Sequence, residues 1–195
     1  MKKKTALMGF VLALCLSVNA VAAPRPEDLK KTIDSVHFKH PWKVQPFFDS
    51  YELISTFKAP VPFSMKGEPE ANIIIGIPSD KAHLKDVKMA KILEEATQGL
   101  RKDLRITEYL ETDGKPVDNI VSSVEKIDGE EVGILKFRSL GEKSDPPGMP
   151  QSVRQVYFVK DGQLYNLTLL VLFAAHQNDV RADQMELVKA LLKAK

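Results

Sequence analysis

Two Asp-Gly pairs, Asp128-Gly129 and Asp161-Gly162, each stand between segments rich in β-branched, aromatic and leucine side chains. Aspartate and glycine both tolerate the left-handed backbone that a tight hairpin turn requires, so each pair predicts two adjacent antiparallel strands. The first hairpin is expected to join residues 120–127 to 132–140, and the second to join residues 152–159 to 164–173. A purely parallel sheet is excluded, because its strands need long crossovers. The last segment, LYNLTLLVLF, is the most apolar run in the chain beyond residue 22 and predicts a strand in the middle of a sheet.

The other elements follow from periodicity. Residues 51–57 alternate like a strand, and NIIIGI (residues 72–77) reads as a strand covered on both faces. Residues 82–102 predict a helix, with Met89, Ile92, Leu93, Ala96 and Leu100 on one stripe and Ser79 or Asp80 as its cap. Residues 104–110 form a further strand candidate. Residues 181–194 close the chain with a second amphipathic helix through Ala182, Met185, Val188, Leu191 and Leu192. A short helix is expected over residues 26–35, with Pro26 in its first turn. Otherwise residues 23–49 read as an irregular leader, and the prolines between residues 37 and 70 break any long element. This order predicts an α+β fold over residues 50–195: a single twisted, mostly antiparallel sheet with flanking helices, an α/β/α sandwich.

The first 22 residues have a different character. Lys2, Lys3 and Lys4 precede an apolar stretch at residues 6–18, and Ala20-Val21-Ala22 follows. That order predicts a cleaved signal peptide and a periplasmic protein starting at Ala23, because Pro24 fits a peptidase site poorly. Removing 22 residues that include three lysines from a 195-residue chain of formal charge +2 leaves 173 residues at −1. The body therefore gives no electrostatic reason to expect nucleic acid, nor stable membrane insertion after cleavage. Cys15 is the chain's sole cysteine, so the body forms no disulfide. Leu14 before it is not the small residue that a lipid anchor requires.

Each arrangement of reactive residue types has a plain structural reading. His37 and His40 have H-x-x-H spacing, but Pro41 opposes the helix that would bring the rings together, and no metal is expected. Ser79 reads as a helix cap, Glu94-Glu95 as part of a charged helical face and Glu130-Glu131 as a hairpin tip, both solvated; Asp179, which pairs with Asp183 in spacing, reads as an N-cap or first-turn acid of the last helix. No cofactor and no catalytic residue is expected. Phe57, Phe63 and Met65, in a proline-rich stretch, are expected to plug a sheet edge. The connector between the hairpins holds Pro146, Pro147, Met149 and Pro150. Its prolines lower the entropy cost of ordering on a partner, and methionine adapts to many surfaces, so these four residues are the expected contact with another protein.

Several short motifs occur in a familiar order. F-x-A-P-x-P-F (residues 57–63) precedes an apolar strand and a long amphipathic helix. A meander with Gly129, Gly133, Phe137 and Arg138 follows, and then RQVYFVKDGQLYNLT (residues 154–168) and a closing helix. The pattern, including Tyr165, Leu167 and Thr168 of a Y-x-L-T strand, resembles the PsbP-like/DcrB-like superfamily of small α/β/α sandwich proteins over residues 50–194. The resemblance implies a non-catalytic, envelope-associated binder, assembly factor or chaperone-like protein. It supplies no catalytic residues, and Cys15 departs from the lipoprotein pattern common in DcrB-like members. The expected function is thus binding of another envelope or secreted protein, with toxin immunity included; the alternative is carriage of a small apolar or lipid ligand, and an unrecognised hydrolase stands third. Partner identity and oligomeric state are not legible.

Overall fold

In the computed structural model, which describes residues 25–58, 67–78, 84, 87–101, 120–140, 150–172 and 176–194, the chain alternates short helices with antiparallel strands. The elements are α1 (Pro26–Asp34), β1 (Trp42–Phe47), β2 (Ser50–Ser55), β3 (Ala71–Gly76), α2 (Met89–Arg101), β4 (Val121–Ile127), β5 (Glu130–Leu140), β6 (Pro150–Lys160), β7 (Gln163–Val171) and α3 (Gln177–Lys193). The strands make one seven-stranded sheet in the order β1-β2-β3-β7-β6-β5-β4, every pair antiparallel. The α+β fold read from the sequence is the observed one.

Both Asp-Gly pairs make their turns. Asp128 and Gly129 have φ of 53° and 93°, and Asp161 and Gly162 have φ of 52° and 79°. Positive φ at both central positions is the type I′ pattern, whose twist matches that of the flanking strands. These turns set the register of β4 on β5 and of β6 on β7. β7 takes the central place its sequence predicted, and its two faces serve different layers. Leu167 and Leu169 pack in a cluster with α1 and α3, whereas Leu164 and Leu170 pack in a cluster with α2.

Three expectations are corrected. Residues 23–49 are not an irregular leader: besides the expected α1, which buries Leu29 and Ile33, they contain β1. Pro46 and the neighbouring prolines hid this strand, but β1 is an edge strand, where proline is tolerated because only one side needs ladder donors. The helix expected at residues 82–102 starts at Met89. Before it, Leu84 gives its backbone N–H to Gly162 O at 3.2 Å, and residues 82, 83, 85 and 86 lie outside the described residues. β3 buries only Ala71, Ile73 and Ile75; its other face, with Asn72 and Ile74, is half-exposed. The strand candidate at residues 104–110 lies outside the described residues, as do the signal segment and Ser79.

α2 lies close to the sheet because Gly133 has no side chain. A Cβ there would stand 2.8 Å from both Leu93 Cδ2 and Met89 Sδ, and 2.9 Å from Leu93 Cγ. Gly133→Ala therefore forces α2 outward. It is expected to destabilise the protein by about 1–3 kcal/mol, read as a lower urea midpoint with unchanged secondary structure.

Candidate functional site

The polar side chains of the described residues concentrate at one end of the sheet, where β1 begins, β2 ends, β3 begins and α3 starts. Asp183, on α3, has no exposed surface. Its carboxylate accepts N–H bonds from Lys39 N at 2.7 Å, His40 N at 2.8 Å and Trp42 Nε1 at 2.9 Å. Three donors satisfy a buried charge that would otherwise be costly. Glu70, also buried, sits at the start of α3 and accepts the backbone N–H of His176 at 3.0 Å. The His176 Nδ1 lies 2.9 Å from Glu70 Oε2. A carboxylate only accepts, so Nδ1 carries the proton. The negative charge favours the helix N-terminus.

His40 lies between these two acids. Its Nε2 is 2.7 Å from Ser55 Oγ, which also accepts the N–H of Phe57 at 3.2 Å. The ring packs 4.9 Å from Trp42, 5.1 Å from Phe57 and 5.5 Å from His176, and Phe57 stacks on His176 at 5.0 Å. Burial pushes the His40 imidazole below its ordinary value, and nearby Glu70 opposes that shift. His40, Ser55, Glu70 and Asp183 are all buried, and each is bonded to neighbours that locate α3 on the sheet. The arrangement is a clamp between α3 and the first two strands.

The pair of histidines three residues apart does not converge. His37 is exposed, with Nδ1 3.4 Å from Ser35 O, whereas His40 turns inward and meets His176. Among the described residues no three His, Cys, Asp or Glu side chains are placed to hold a metal ion. Asp179 is exposed in the first turn of α3, as expected, but Asp183 one turn on is not solvated. Phe57 covers the histidine pair at the sheet's end, whereas Phe63 and Met65 lie outside the described residues. Pro146, Pro147 and Met149 also lie outside them; Pro150 opens β6, in register with Leu140.

A second feature was not legible in the sequence. Between α2 and β4 runs a groove of about 430 Å³, open to solvent. Ala90, Leu93 and Val124 line its apolar part, and Glu94, Gln98 and Ser122 its polar part. β4 is the outer strand on this side, and Val121 and Val124 on it are 58% and 44% exposed. Helical spacing pointed to an apolar stripe on α2; that Ala90 and Leu93 would border an open groove beside β4 depends on tertiary placement.

Two outcomes follow from the clamp. Asp183→Ala leaves three N–H donors without their acceptor and should cost about 3–5 kcal/mol in urea denaturation, with Asp183→Asn costing less. The pH dependence has a fixed sign. The native state prefers neutral His40, so the unfolded chain takes up the proton first, from its ordinary value of 6.5 downward. Thermal stability should be flat above about pH 7 and fall as pH drops below about 6.5, with Glu70, His176, Asp179 and Asp183 as the other charged groups near the ring. His40→Asn should flatten that slope between about pH 5 and 7.

No protein-family model matches the chain, and no curated protein matches it significantly. Among solved structures, it is similar to PA94 of Pseudomonas aeruginosa, a protein of unknown function described as a candidate regulator, at 15% identity and a TM-score of 0.42 over 78% of this chain and 94% of that one. It is also similar to LpqN of Mycobacterium tuberculosis, described as involved in cell envelope biogenesis, at 16% identity and a TM-score of 0.44 over 76% of each chain. Likenesses at this level carry no argument about activity or partners.

Proposed function

We propose that this chain is an exported, non-enzymatic periplasmic protein that binds another envelope or secreted protein, as an assembly, chaperone-like or toxin-immunity factor, and that it does so at the α2–β4 groove. The observation that carries this reading is the groove itself: an open trough of about 430 Å³ lined by both apolar and polar side chains, the exposed Val124 among them. Such a trough accepts a side chain inserted by a partner, with its polar lining supplying hydrogen bonds. A carrier of an apolar ligand works instead by enclosing most of the ligand's surface. The same reading keeps the connector between β5 and β6, with Pro146, Pro147, Met149 and Pro150, as a second contact with the partner. The order of β6, its Asp-Gly turn, β7 and α3 supports membership of the PsbP-like/DcrB-like group.

A photocrosslinking side chain at Gln98 or Ser122 tests the groove in the native envelope. The expected result is an adduct with one envelope or secreted protein from both positions and none from Lys30 on α1. Ser122→Trp, which fills the trough, should abolish the Gln98 adduct without lowering thermal stability, and Met149→Ser with Pro150→Ser should weaken it. Adducts equally strong from Lys30, or adducts indifferent to Ser122→Trp, would contradict the proposal.

A further inference from the structure

We infer that β4 pairs with β4 of a second copy of this chain, antiparallel and centred on Val124, joining two sheets edge to edge. Among the described residues β4 pairs only with β5 and stands last in the strand order. An exposed edge strand is a template for another strand unless its side chains oppose pairing. Here they are self-complementary.

The register on β5 shows which face each residue occupies. Ser122 and Val124 pair with Leu135 and Gly133, on the face covered by α2; Lys126 shares it by alternation. Ser123 and Glu125 pair with Ile134 and Val132, on the face covered by α1 and α3; Val121 and Ile127 share that one. A two-fold axis perpendicular to the sheet preserves both faces and requires opposed residues of like parity. Centred on Val124, the midpoint of the strand, it uses all seven residues. Val124 then faces its own copy, Val121 faces Ile127, Ser122 faces Lys126 and Ser123 faces Glu125. Apolar meets apolar, and each charged side chain meets a serine. Centring on Ser123 sets Val121 against Glu125, and centring on Glu125 sets two carboxylates face to face. Directly opposed pairs dominate cross-strand energetics, so the Val124 register is selected.

Because the axis preserves faces, α2 of both copies lies on the same side of the joined sheet. The two grooves then flank a shared floor of paired β4 strands. The inference does not depend on what occupies the groove. The two Glu125 side chains fall on a diagonal about 7–8 Å apart, a mild repulsion that tunes the affinity.

Sedimentation of the purified protein over a range of concentrations tests the pairing. A monomer–dimer equilibrium is expected. Val124→Glu, which sets like charges face to face, should weaken it about tenfold or more, and Glu125→Gln should strengthen it roughly threefold. Because residue 124 faces itself, mixing Val124→Glu with Val124→Lys should restore a dimer that neither forms alone. As a second readout independent of those variants, Val124→Cys in a Cys15→Ser background should oxidise to a covalent dimer. Val121→Cys should not, since its copies lie about 20 Å apart in this register. A protein that stays monomeric at all concentrations overturns the inference, as does a dimer indifferent to Val124→Glu or one that crosslinks at residue 121 but not at 124.

Discussion

β7 carries apolar side chains on both faces, and the layered structure rests on that one strand. Leu167 and Leu169 require cover from one side, and Leu164 and Leu170 from the other. Neither α1 with α3 nor α2 alone could meet both demands, so the sheet is sandwiched at its centre. β3 and β6 flank β7 and take up its ladder hydrogen bonds. α3 is further fixed by Gln184, fully buried, which donates to Leu167 O at 2.8 Å and to Arg154 O at 3.1 Å. On the other face α2 packs chiefly on β5 and also meets β4 and β6, and the groove opens between α2 and β4.

The two sides of the sheet differ in burial. At the clamp, the buried acids and His40 are bonded to backbone and side chains and hold α3 to the first strands. Asp183 does the most, since one carboxylate gathers three donors from the lead into β1. At the opposite side of the sheet, β4 offers exposed valines, serines and one charge of each sign, with little burial to constrain them. Surfaces of the second kind can be occupied by a partner without disturbing the core.

What was legible in the sequence was local or periodic. The Asp-Gly turns announce themselves because few residue pairs accept positive φ twice in succession, and LYNLTLLVLF announces a central strand because nothing else in the body is so continuously apolar. The stripe at Met89, Ile92, Leu93 and Leu100 identified α2, which starts at Met89. β1 was hidden, because prolines and mixed polarity at an edge resemble a loop. The clamp was hidden for a deeper reason. His40 and Asp183 are 143 positions apart, and Glu70 and His176 106 apart, so no window of sequence contains either pair. Nothing around Asp183 in the sequence sets it apart from other helix acids; its burial and its bond from Trp42 do.

β7 is the covered centre of the sheet, and β4 is its exposed outer strand among the described residues. Native-state hydrogen exchange measures that contrast directly. The amides of Leu167 and Leu169 should exchange only through global unfolding, whereas amides of β4 in dilute protein should exchange through a local opening of lower free energy. Equal protection in the two strands, or faster exchange in β7 than in β4, would contradict it.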